Sequence, residues 1–167
     1  ELECAIKYAE LAQHHDLPVT LFVSGNIVKS ENSALKRLAS MENVEVGGHT
    51  YNAFLPSSLH LLFDAIYGSY YGPRSYQRRD IRKTLDLLNS ITPYPIESWR
   101  THGYRSDGVT MDLLVESGIR FVSDLVDESG SIEEIRSGLF SLPINTPPDH
   151  EHLNHGYLHR DAIEQEQ

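Results

Sequence analysis

Short β-type runs alternate with amphipathic helical stretches along this chain, and that alternation leaves few folds open to it. Val19-Thr20-Leu21-Phe22-Val23 stops at Ser24-Gly25-Asn26, and Val44-Glu45-Val46 stops at Gly47-Gly48-His49-Thr50. Between them Leu35, Leu38 and Ala39 face inward from a short helix over 32–40. Strands that recur with helices between them predict a parallel sheet, since a parallel return needs a long crossover. Ligands bind outside the carboxyl ends of such strands. The residues that follow each strand are therefore where chemistry is to be sought.

The same rhythm continues on both sides. Leu2, Ala5, Ala9 and Ala12, with Ile6 and Tyr8 beside them, place a helix over 1–15, closed by Asp16-Leu17-Pro18. No capping residue precedes it, which predicts that the sequence starts inside a domain. Leu59, Leu62, Phe63 and Ile66 fit a further helix, followed by the aromatic loop Gly68-Ser69-Tyr70-Tyr71-Gly72-Pro73. Residues 75–89 are the clearest helix, with Ile81, Leu85 and Leu88 on one stripe and Arg78, Arg79, Arg82 and Lys83 on the wet side. A strand begins over 96–100. Asp107 is placed to cap a helix over 109–117, and 119–123 forms another strand. Residues 132–136 read as a helical turn and 139–144 as a last strand. No linker or low-complexity segment appears, so residues 1–167 read as one domain.

Composition narrows the function. The formal charge of -10 disfavours nucleic acid as a partner, and no apolar stretch is long enough to span a membrane. A single cysteine, Cys4, excludes an internal disulfide and a thiolate metal cluster. The chain is short for a complete β/α barrel, which takes about 250 residues. Nine histidines is a high count, and His150, His152, His155 and His159 crowd one stretch near the end. Such a stretch suits either a solvated loop or a metal-ligand loop, since imidazole is a common metal ligand.

Polar residues gather at the carboxyl ends: Ser24-Gly25-Asn26, His49-Thr50, Arg100-Thr101-His102-Gly103-Tyr104, Ser123-Asp124 and Asp149-His150-Glu151-His152. The amino ends carry mostly prolines and plain turns. This asymmetry points to one shared site with His49 and Arg100 in it, and so to an enzyme. The tyrosines Tyr67, Tyr70, Tyr71 and Tyr76 leave open a second class, a barrel that binds glycans by stacking without catalysis.

In order along the chain, Pro18-Val19-Thr20-Leu21-Phe22-Val23-Ser24-Gly25, Glu45-Val46-Gly47-Gly48-His49-Thr50, Trp99-Arg100 and Gly118-Ile119-Arg120-Phe121-Val122-Ser123-Asp124 resemble the polysaccharide deacetylase (NodB-homology) superfamily. The resemblance runs over about residues 1–145. It implies a distorted (β/α)7 barrel, here without its N-terminal strand and with its C-terminal strand in question. The implied chemistry is removal of N-acetyl groups from sugar polymers with a divalent metal, zinc being the expected ion. Amide hydrolysis suits such a set, because one Lewis-acidic ion both activates water and polarises the carbonyl. The family holds its metal with an Asp and two His, and uses a second Asp as base and a His as acid. An Arg orients the base, and backbone near a Tyr steadies the oxyanion.

Carried onto this sequence, His49 matches the first histidine of the family's His-Thr/Ser-x-x-His element. The second would stand at position 53, which is Ala53, and alanine cannot ligate. Arg100 matches the base-orienting arginine, Tyr104 the aromatic beside the oxyanion, and His155 of Leu153-Asn154-His155 the acid. Thr50, His102 and Asp124 are assigned to substrate contacts, and His152 to the metal in place of the missing ligand. The paired aspartates of the family's first strand are not in this sequence, so residues 1–167 alone are expected to be inactive. The expected function is hydrolysis of a non-peptide C–N bond in an N-acetylated carbohydrate. A metal-independent amidohydrolase of the allantoinase type is the enzyme alternative.

Overall fold

The computed structural model describes residues 2–127 and 130–145. Six strands form one sheet in the order β1-β2-β3-β4-β6-β5. They are β1 (Val19–Val23), β2 (Val44–Gly48), β3 (Ser98–Trp99), β4 (Phe121–Val122), β5 (Glu133–Arg136) and β6 (Leu139–Ser141). All neighbours are parallel except β5 and β6. The helices are α1 (Leu2–His14), α2 (Ile27–Ser30), α3 (Asn32–Ala39), α4 (Ser57–Tyr67), α5 (Arg74–Asn89) and α6 (Gly108–Glu116).

Chain order and spatial order agree from β1 to β4, and this decides the architecture. Right-handed crossovers that always step in one direction put every helix on the same face of the sheet. That face carries Val23, Val46, Trp99 and Val122, which join Ile6, Leu35, Leu38, Ile81, Leu88, Leu113 and Leu114 in one apolar core. The other face carries Thr20, Phe22, Glu45, Ser98, Arg100, Phe121, Ser123 and Leu142, around a concavity of about 220 Å³. Register keeps these residues together, since Thr20 pairs with Glu45, Phe22 with Gly47 and Ser98 with Phe121. A doubly wound sheet would have helices on both faces. A sheet clad on one face, with polar and aromatic residues on the other, is a segment of barrel wall.

Five elements depart from the sequence expectations. Residues 133–136 form strand β5 and no helical turn. Gly138, at φ +78°, turns β5 back onto β6, and this left-handed turn residue reads as a hairpin only once the partner strand is known. Strands β3 and β4 keep only two paired residues each, against the five expected. Strand β1 stands at a sheet edge with Thr20 exposed, so it is less buried than its apolar run implies. Helix α4 buries only His60, while Leu62 and Ile66 stay 53% and 60% exposed. It leans on the fold through the aromatic cluster around His60, made of Phe54, Phe63, Tyr70 and Tyr76, and not through its leucine stripe. Among the described residues no helix is long and apolar enough to cross a membrane.

Candidate active site

The site begins at the two glycines that end β2. A Cβ on Gly47 would stand 2.6 Å from Ser98 Oγ, and one on Gly48 would stand 2.3 Å from the Trp99 ring. Only glycines let β2 and β3 approach this closely here. That approach delivers His49 beside the first residues after β3. The Arg100 N–H donates to Gly48 O at 2.9 Å, and His49 Nδ1 donates to Arg100 O at 2.7 Å. A carbonyl only accepts, so the proton sits on Nδ1 and Nε2 carries the lone pair. His102 Nδ1 lies 3.0 Å from that Nε2 and must be the donor between them. The rings meet edge to face, with centroids 5.1 Å apart, and Phe54 abuts His102. Burial lowers the pKa of His49 to about 4, aided by the charges of His102 and Arg100 and opposed by the bond to the Arg100 carbonyl. Burial lowers that of His102 too. Both imidazoles are neutral at pH 7.

Arg100 sends its side chain onto the inner face of the sheet. Its Nε donates to Ser123 O at 3.0 Å and Nη2 to Ser123 Oγ at 2.7 Å, while the guanidinium lies over the Phe22 ring at 4.5 Å. Among the described residues no carboxylate stands within ion-pair distance of it. Asp124 ties the ends of β3 and β4 together, accepting the Thr101 N–H at 2.6 Å. Burial raises its pKa, against hydrogen bonds from Ser106 and Thr101 and the charge of Arg100.

Backbone strain concentrates here. Thr50, Ala53, Phe54 and Tyr104 all adopt positive φ, at 57°, 48°, 58° and 58°. Each such residue costs roughly 1–2 kcal/mol and persists only where its surroundings enforce it. Three of the four follow β2 and the fourth follows β3, so both loops that shape the site are held in unfavourable conformations.

Several expected roles change against this geometry. Thr50 is 1% exposed, and its carbonyl accepts the Gly25 N–H and joins the loops after β1 and β2. The Tyr104 N–H donates to Thr101 O at 2.9 Å within a 3-10 turn over His102–Tyr104, so it is not available to an oxyanion in this conformation. Asp124 faces the protein and bonds the Thr101 backbone. Tyr71 is fully buried with its hydroxyl on Asp80, so it cannot stack on a sugar. His49, Arg100 and His102 are brought together. His152 and His155 lie outside the described residues. Sequence reading passed over Phe54 and Phe22, which hold His102 and Arg100. Neither sits in a motif, and only the fold places them there. A concavity of about 660 Å³ lies away from this site, along α5 beside Lys29, Arg79, Arg82 and Lys83. It holds no imidazole, and we place the chemistry at the strand ends.

A polysaccharide deacetylase profile matches residues 5–122. The chain belongs to the polysaccharide deacetylase family. No curated protein matches the sequence. Among solved structures, the PuuE allantoinase resembles this family member with a TM-score of 0.62 at 17% identity, over 87% of this chain and 44% of its own. A carbohydrate esterase family 4 pseudoenzyme from Bacillus anthracis gives 0.60 at 17%, over 72% and 38%. The Bc1960 peptidoglycan N-acetylglucosamine deacetylase gives 0.54 at 20%, over 68% and 47%. At these identities the likeness shows the fold, a deacetylase-type barrel wall. The chain spans less than half the length of each of these structures.

The divalent ion that the family implies can be tested against the donors present. The family's histidine pair cannot form, because position 53 is alanine. A different pair exists: Nε2 of His49 and Nδ1 of His102 face one another at 3.0 Å. His49 also donates its other nitrogen to a carbonyl, the arrangement that orients metal-ligating histidines. Both rings are of the neutral kind that binds zinc. Two imidazoles hydrogen-bonded to one another make at most half of a four-coordinate set. Among the described residues no third His, Cys, Asp or Glu completes a group with them.

Proposed function

We propose that this chain carries the substrate-facing part of a hydrolase site for the N-acetyl amide of a carbohydrate. The observation that supports it most is the neutral pair His49–His102, oriented by the Arg100 carbonyl at the carboxyl edge of the sheet. A divalent ion at this pair would supply carbonyl polarisation and a more acidic water. The chain's own residues do the positioning. His49 keeps one ring nitrogen on the Arg100 carbonyl and turns the other to the site. Arg100, fixed by Ser123 and Phe22, sets a positive charge beside the pair that favours a developing oxyanion. Phe54 holds the His102 ring and screens it from water. Among the described residues no carboxylate charge acts on His49, so a base for the attacking water is not at hand. Residues 1–167 alone are expected to bind substrate without turnover.

Isothermal titration with an N-acetylglucosamine oligomer and with its deacetylated counterpart tests this reading. The acetylated oligomer should bind more tightly, and the preference should vanish in Arg100→Ala. Equal binding of the two oligomers overturns the sugar-amide reading in favour of a smaller amide. Acetate released by residues 1–167 overturns the assignment of a missing base.

A further inference from the structure

We propose that the concavity along α5 binds an acidic carbohydrate, whose carboxylate or phosphate groups are held by Lys29, Arg79, Arg82 and Lys83. The choice of a carbohydrate to carry those charges rests on the hydrolase reading; the preference for an anion rests on the groove alone. The concavity holds about 660 Å³, a volume typical of small-ligand sites. Five cations line it, Lys29, Arg78, Arg79, Arg82 and Lys83, against one carboxylate, Asp86. The whole chain carries a formal charge of -10, so this groove reverses the sign of its surroundings. Arg78 is paired with Glu116. No carboxylate among the described residues stands within ion-pair distance of the other four cations.

Solvation alone does not call for this pattern. Arg78 and Arg82, like Arg79 and Lys83, stand four residues apart on α5, and like charges at that spacing weaken a helix. The helix also has no acidic residue in its first turn and no basic one in its last, the reverse of what its dipole favours. An anion in the groove relieves the repulsion. The walls are fixed to one another. Tyr51 donates its N–H to Asp80 Oδ2 of α5 at 3.0 Å, and its carbonyl accepts the Asn26 N–H that opens α2 at 2.9 Å. Lys29 of α2 and Lys83 of α5 are thereby set on either side of Tyr51. The Lys83 ammonium lies over the Tyr51 ring at 3.4 Å. Lys83 most, and Lys29 with it, lower the pKa of the Tyr51 hydroxyl against the opposing effect of burial. A carboxylate or phosphate oxygen serves two converging ammonium groups better than a neutral phenol does. Arg79 and Lys83 also line a smaller depression of about 180 Å³ with Tyr51 and Tyr76. Tyr51 lies two residues beyond His49, in the loop that follows β2, so the cationic groove begins in the same loop as the proposed site.

The test is isothermal titration of residues 1–167 at low salt with three ligands: a hyaluronate oligosaccharide, in which N-acetylglucosamine alternates with a carboxylated sugar, a neutral N-acetylglucosamine oligomer of the same length, and inorganic phosphate. The acidic oligomer should bind roughly fivefold to tenfold more tightly than the neutral one, the effect of two or three exposed charge pairs. The double variant Arg79→Gln/Arg82→Gln should lose that preference and keep its affinity for the neutral oligomer. Glutamine favours a helix about as well as arginine, so its thermal midpoint should match the wild type. The charge-matched variant Lys36→Gln/Arg120→Gln should keep the preference. Equal binding of the two oligomers to the wild type overturns the proposal, as does an equal loss in both variants. Displacement of the acidic oligomer by an equal concentration of phosphate overturns the carbohydrate assignment in favour of a free anion. Loss of the acidic preference while acetylated and deacetylated oligomers are still told apart counts against this groove alone. The opposite result counts against the hydrolase reading alone.

Discussion

His49 donates through Nδ1 to the carbonyl of Arg100 at 2.7 Å, and this one bond decides which ring nitrogen the site receives. It joins the first residue beyond β2 to the first residue beyond β3. The orientation of the imidazole is thus a consequence of parallel pairing between two adjacent strands.

The acid stability of the metal-free chain should report on His49. Its pKa is about 4 when folded and 6.5 in its ordinary state. Between those values the unfolded chain binds more protons, so stability is complete above about pH 6.5 and falls as pH drops towards 4. The loss is at most about 3 kcal/mol. Urea unfolding in EDTA at pH 7 and pH 4.5 should show the decline in wild type and a shallower one in His49→Gln. Parallel declines in the two proteins would contradict the assignment.

Gly48→Ala should destabilise the fold by about 1–3 kcal/mol, because its Cβ would meet the fully buried Trp99 ring at 2.3 Å. Gly108→Ala is the matched control. There the nearest atom is the end of the Arg136 side chain at 3.8 Å, and φ is not positive. At the first position of α6 the change should be neutral or stabilising by about 0.4–1 kcal/mol. Thermal melts of both variants check the pair, and equal effects would refute the packing argument.

Asp124 should tolerate loss of charge better than loss of its oxygen. Burial already disfavours the ionised form, and the Thr101 N–H needs an acceptor more than it needs a negative charge. Asp124→Asn should stay within about 1 kcal/mol of wild type at pH 7, whereas Asp124→Ala should lose about 1–3 kcal/mol with the donor left unpaired. Denaturant midpoints distinguish the two, and an Asn variant as weak as the Ala variant would show that the charge matters.

Much of the fold could be read from residue order because it follows from periodicity. The helices over 1–15 and 75–89 and the strands at Val19 and Val44 are long enough for their patterns to settle their type. The short strands β3 and β4 and the β5–β6 hairpin were harder, since two paired residues carry no period and the turn depends on a partner. At the site, His49 and Arg100 stood out as polar residues at strand ends. Thr50, Asp124 and Tyr104 were read at the carboxyl edge of the sheet, where the structure also has them, each hydrogen-bonded within the protein. Which way a side chain turns after a strand depends on left-handed residues such as Thr50 and Tyr104, and nothing in their identity announces that conformation. The contact between His102 and His49 spans 53 residues and comes entirely from strand pairing.

The most direct test of the site is a ring-nitrogen spectrum of the histidine-labelled chain, recorded with and without the N-acetylglucosamine oligomer. The account predicts a neutral His49 protonated at Nδ1 at pH 6, and shifts of the His49 and His102 rings with the acetylated oligomer while His14 and His15 stay still. A His49 that titrates near 6.5, or sugar-induced shifts that bypass both His49 and His102, would contradict it.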